Sequence, residues 1–425
     1  MIERLRLAMW LVAAGAAGTV SAQKAPLPPA PNTCVDCHLA LDHETMSPPA
    51  RLFAEDIHAH SGFTCVFCHG GDASKDDQEL AHDARRGFRG KPSPREIPEL
   101  CGRCHADADL MKRFSPSQRV DQLAEYRTSR HGQKLAQGDV RVAQCVSCHG
   151  AHGILPIKDS RSPVSANRVA STCNGCHGDA ALMALYKLPA DAHEKYGRSV
   201  HALARAGGDL SAPTCNSCHG NHGAAPPEVG SVANVCGTCH AVFAEKFKLS
   251  PHWEAFAELG QPGCVTCHGN HEILEASDEL LATGERGVCE SCHEAGSPGA
   301  DAAKAMHESL GGLHREIAAA RGLIQQAREA GMEVSRQEFD LVQAEDALTR
   351  ARADVHLARL SAVTEPVARG VTVARESRKG ALAALRELDV RRKGLFISLV
   401  FVGLAILGLV LKIRSIERGA KGPSS

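Results

Sequence analysis

Aromatic side chains are scarce in this 425-residue chain, where 2 Trp, 3 Tyr and 11 Phe make up 4%. Such rings normally carry much of a domain's buried apolar area, so something else must fill the interior. An excess charge of one sign is missing too. The formal net charge is -1, which excludes the strongly basic face that binds nucleic acid. No stretch argues for a convincing sheet.

The two ends address the chain to a membrane system. Arg4 and Arg6 precede an apolar run from Leu7 to Val20 and small residues at Ser21 and Ala22. This pattern is expected to be a secretory signal, residues 1–22, cut after Ala22. Gly394 to Leu411 carries no charge over eighteen residues, the length of a transmembrane helix. Basic residues balance on its two flanks, so the signal sets the orientation. The bulk is expected outside the cytoplasmic membrane, with residues 412–425 as a cytoplasmic tail.

What is abundant is cysteine. The 18 cysteines form nine C-x-x-C pairs with none left over: Cys34 and Cys37, Cys65 and Cys68, Cys101 and Cys104, Cys145 and Cys148, Cys173 and Cys176, Cys215 and Cys218, Cys236 and Cys239, Cys264 and Cys267, and Cys289 and Cys292. Each pair is followed at once by a histidine: His38, His69, His105, His149, His177, His219, His240, His268 and His293. C-x-x-C-H is the attachment signature of c-type haem. Two thiols bond the porphyrin vinyl groups and the adjacent imidazole ligates the iron. Zinc ribbons also use C-x-x-C pairs, but tetrahedral thiolate sites need no histidine behind each pair. A disulfide framework needs none either.

On these motifs residues 34–293, about 60% of the chain, resemble the multihaem c-type cytochromes of the small tetrahaem and doubled-CXXCH kind. The resemblance implies covalent haem c, nine in number here, and electron transfer.

Fourteen histidines remain, and their positions are ordered. His58, His131, His201, His252 and His307 lie 12 to 26 residues after His38, His105, His177, His240 and His293. His152, His222 and His271 lie three residues after His149, His219 and His268, and His82 follows His69 at a longer interval. That is one candidate sixth ligand per iron, in four two-haem repeats preceded by a single haem. Axial ligands approach a porphyrin from opposite faces. A three-residue connection cannot pass around so wide a disc, so His152 must serve a neighbouring haem. His43, His60, His193, His314 and His356 are surplus. His60 competes with His58, His43 competes with His82 for the first haem, and the other three read as surface or partly buried polar residues.

The expected fold is mainly α with much irregular structure. A nine-haem cytochrome domain over 23–299, with porphyrins as most of its core, is followed by an α-helical bundle over 300–393 and one transmembrane helix over 394–411. Leu310, Leu313, Ile317, Ala320, Ile324 and Ala327 form one apolar seam, and Leu341, Ala344, Leu348, Ala351, Val355 and Ala358 a second. Gly331 is expected to stop the first helix, Ser335 and Glu338 to form a capping box for the second, and Pro366 to start a third. An iron with two histidines has no open site. The expected role is therefore an electron carrier, not an enzyme, working between redox protein partners or from membrane quinol in the bacterial periplasm or at the envelope exterior. A quinol dehydrogenase or an oxyanion reductase is the alternative.

Overall fold

The computed structural model describes residues 32–227 and 232–420. The expected signal peptide lies outside the described residues, as does the end of the expected tail. The described chain is mainly helical, as expected, with no strand among the described residues. It divides into two compact units, one of residues 32–173 with Asn221–Ala224, the other of Asn174–Gly220 with the chain from Ala225 onward.

Short helices joined by turns build the first unit and the beginning of the second. Many of them end in a motif histidine, as do Ile97–His105, Cys145–His149, Cys215–His219 and Cys264–His268. Local chemistry explains their shortness. Gln144 Oε1 accepts from Val146 N at 2.9 Å while Ser147 Oγ accepts from Gln144 N at 3.1 Å, so the helix is capped at its first turn. Gly150, with φ of +82°, then ends it in a conformation that a side chain would oppose.

One connection recurs. Ile57 N donates to Ile154 O at 2.8 Å and Arg130 N to Ala224 O at 3.1 Å in the first unit. Val200 N donates to Ile273 O at 2.8 Å in the second. In each case the donor begins a helix one residue before His58, His131 or His201, and the acceptor lies two residues beyond His152, His222 or His271. The two classes of downstream histidine are thus tied to one another by backbone.

The second unit continues into three long helices, Pro298–Glu329, Ser335–Asp354 and Leu360–Ala420. They pack as an antiparallel bundle around Leu310, Leu313, Ile317, Ile324, Leu341, Leu348 and Val363. Both expected seams are buried except at the end of the second, where Val355 and Ala358 belong to a 3-10 corner. The third helix crosses the bundle closely at Gly370, where a Cβ would lie 2.9 Å from Leu313 and 3.0 Å from Ala347.

Two details differ from expectation. Glu333, rather than Ser335, caps the second helix, accepting from Ser335 N at 2.9 Å. Pro366 lies inside the third helix, which begins six residues earlier at Leu360. The first turns of a helix have free N–H groups, and a proline just beyond them removes only one bond. The third helix is 61 residues long, about 90 Å at 1.5 Å per residue, and contains the exposed apolar segment 394–411.

Leu310 is fully buried in this bundle. Leu310→Ala should cost about 3 kcal/mol of bundle stability, read as an earlier denaturant midpoint of the far-ultraviolet helical signal with haem absorbance unchanged.

Candidate metal centres

The motif cysteines are free thiols, and those of consecutive motifs come together. Cys101 and Cys145 are hydrogen-bonded, which with burial pushes the Cys101 thiol far up, and Cys236 and Cys264 repeat the arrangement. Burial, then the Cys65 thiol, pushes Cys34 up. Burial also holds the imidazoles of His105, His149, His152, His177, His201, His222, His252, His268, His271 and His356 below their ordinary value. A neutral imidazole is the form that ligates a metal.

Motif histidines face histidines from distant parts of the chain. In the first unit His38 faces His82, His58 faces His105, His69 faces His152 and His149 faces His222, with ring centres 6.2, 5.9, 6.0 and 6.1 Å apart. In the second, His201 faces His240, His219 faces His271, His252 faces His293 and His268 faces His356, at 6.2, 6.1, 6.0 and 6.1 Å. Two metal–nitrogen bonds of about 2 Å, with the distance from each nitrogen to its ring centre, span about this length. An unbridged ring contact has no reason to repeat it so closely.

The other ring nitrogen is often held by an acceptor. Nδ1 lies 3.3 Å from Met46 O in His38, 3.2 Å from Gly90 O in His69, 3.2 Å from Ala225 O in His219 and 3.1 Å from Ala353 O in His356. A carbonyl only accepts, so Nδ1 carries the proton and the Nε2 lone pair is left for a metal. His58 has a stronger partner. Its Nδ1 donates to Asp56 Oδ1 at 2.9 Å, while Asp56 also accepts from His58 N and Ile154 N at 2.9 Å each. Burial alone would raise the Asp56 carboxyl, but these hydrogen bonds outweigh it and hold it below the usual carboxylate range.

The S-x-H stretches have a local cause. Ser129 and Ser199 cap the helices that carry His131 and His201, accepting from Gly132 N and Ala202 N at 2.9 and 3.2 Å, and Ser250 occupies the cap position before His252. Each cap sets its histidine in the first turn. His131 lies on Arg130–Ala136 and His177 closes Val169–His177. His43 and His60 are exposed, and His82 and His58 make the ring pairings for which these two competed.

The end of the series differs from expectation. His307, on the first long helix, pairs with no histidine ring among the described residues; its Nε2 lies 3.7 Å from Oε1 of Glu279 in the 3-10 turn Asp278–Leu281. The ring facing His268 is instead that of His356, read in the sequence as surplus. No short motif surrounds His356, and only the bundle's return to the haem region places it there.

These centres fit haem. Among the described residues no cluster of three or more His, Cys, Asp or Glu side chains could hold a metal by itself, whereas opposed histidine pairs suit an iron whose other four ligands come from a macrocycle. The interior agrees. Ser47, Ser129, Ser162 and Ser199 are fully buried in the motif region, while Phe67, Leu203 and Val242 are 59%, 61% and 61% exposed. Among the described residues this region buries only scattered apolar side chains such as Leu135 and Met183, with no cluster like that of the bundle, and porphyrins would supply a core. Residues 57–178 match the Cytochrome c3 family. That segment holds four of the nine motifs, those of His69, His105, His149 and His177. The match supports a multihaem c-type cytochrome with covalently bound haem c. No curated protein and no solved structure matches the chain.

The Asp56 carboxylate would make His58 a more electron-rich ligand. Asp56→Asn should raise the midpoint potential of one haem, that of Cys101 and Cys104, by about 60 mV, a tenfold change for one electron. Spectroelectrochemical titration would read it, and an unchanged set of potentials would show that the hydrogen bond is only structural.

Proposed function

We propose that the protein is a membrane-anchored relay that passes electrons along nine bis-histidine c-type haems outside the cytoplasmic membrane. The repeated facing of two histidine rings about 6 Å apart carries this reading. An iron ligated on both faces accepts and donates electrons without binding a substrate. This geometry favours a carrier over an oxyanion reductase.

The apolar segment 394–411 supports anchoring in the membrane, and an export signal at residues 1–22 would put the haems on the far side. Residues 360–393, helical throughout, separate the His356 corner from that segment by about 50 Å. Direct oxidation of quinol within the bilayer would need a haem at the lipid. The distance favours a redox protein as donor and another as acceptor.

Two measurements test the haem assignment. Intact mass under denaturing conditions should give nine haems on a chain that starts near Gln23; fewer would refute the count. Electron paramagnetic resonance should then sort the low-spin ferric irons by ring orientation. Parallel axial imidazoles split the iron d orbitals, while perpendicular ones leave them nearly degenerate. His69 with His152, His149 with His222 and His268 with His356 lie at 10°, 7° and 15° and should give rhombic signals. His38 with His82 and His58 with His105 lie at 85° and 84° and should give strongly anisotropic ones. A single class of signal would contradict the paired geometry.

A further inference from the structure

We infer that His356, at a corner of the helical bundle, is the sixth ligand of the iron whose haem is attached at Cys264 and Cys267, so that the bundle is part of the electron-transfer unit rather than a spacer. The inference rests on the haem reading above and adds a ligand from outside the motif region.

Order along the chain is the first ground. Histidines of the short connection reach back two motifs: His152, after His149, faces His69; His222, after His219, faces His149; His271, after His268, faces His219. Histidines of the long connection reach forward two motifs: His58 faces His105, His201 faces His240, and His252 faces His293. Near the last motif the rule runs out in both directions. His268 would need a histidine trailing a tenth motif, and His307 would need an eleventh motif to serve. Neither occurs between Glu294 and Ser425. The series thus leaves His268 without a ring and His307 without an iron. His356 supplies the missing ring.

Geometry is the second ground. The His356 and His268 rings are 6.1 Å apart and within 15° of parallel, inside the range of the other pairs. His356 Nδ1 donates to Ala353 O at 3.1 Å, as other facing histidines donate to carbonyls, and its Nε2 is left as the acceptor. Packing against Phe243, with ring centres 5.1 Å apart, would suffice to bury a structural histidine. It would not fix the ring parallel to His268 at that spacing.

The corner is clamped where a ligand must not move. His356 lies in the 3-10 turn Val355–Leu357, and Ala358, at φ of +49°, turns the chain into the third helix in a conformation unusual for alanine. Lys246 Nζ bonds Asp354 Oδ1 at 2.5 Å, and Arg352 bonds both oxygens of Asp278 at 2.9 and 2.8 Å. Arg359 Nη2 donates to Leu249 O at 3.2 Å. These bonds tie both sides of the turn to the segment that carries the last motifs.

The test uses the purified full-length holoprotein. His356→Ala should retain nine haems by mass and convert one ninth of the iron to high spin by electron paramagnetic resonance, and added imidazole should return it to low spin. His307→Ala should change no spin state. Should His356→Ala not accumulate, His356→Met decides: a thioether in that place raises a haem's potential, so one component of the redox titration moves upward. Nine haems with all iron low-spin in His356→Ala overturns the inference, as does a high-spin iron in His307→Ala or an unmoved titration in His356→Met. A wild-type mass without haem would instead remove the reading beneath it.

Discussion

An iron held in a flat macrocycle takes its two protein ligands from opposite faces. This constraint organises the chain more than any hydrophobic seam does. A histidine next to its cysteines cannot be joined on the far face by a near neighbour, so each centre needs a second, distant segment. His149 and His152, three residues apart, accordingly face different rings, those of His222 and His69. The fold that results is an interleaving of short helices and loops, with backbone bonds such as Ile57 to Ile154 holding the interleaved segments in register.

Two kinds of interior coexist as a consequence. The bundle buries Leu310, Leu313 and Val363 completely and packs without help. The motif region buries only scattered apolar side chains such as Leu135 and Met183, buries serines beside them, and leaves Phe67 and Val242 largely exposed. Such a segment cannot bury enough protein apolar surface to offset the entropy of ordering its backbone. Covalent porphyrins would supply that surface, and folding of this region would then depend on haem attachment. The buried hydroxyls are not idle, since Ser129 and Ser199 cap the helices that position His131 and His201.

The bundle joins both properties. Its core is conventional, yet the corner between its second and third helices carries His356 to His268, and its third helix continues to the apolar segment 394–411. A single helix therefore links a proposed iron ligand with a proposed membrane anchor. Position and redox chemistry would then be set together, and a change in how the third helix packs would be felt at the centre.

The haem motifs, the number of distant histidines, the apolar seams of the bundle and the uncharged segment near its end were all legible in the amino-acid sequence, because each follows from covalent spacing or from helical periodicity. The S-x-H stretches were visible too, although the capping serines explain them only in the structure. Which histidine faces which was decided by tertiary structure. His152 meets His69 across 83 residues of chain, and local sequence carries no record of such a partner. The same limit separates His307 from His356. Local spacing marks His307 because it repeats the interval of its predecessors, whereas His356 is brought to His268 by the return of a helical hairpin, and only the packing of that hairpin determines which ring arrives.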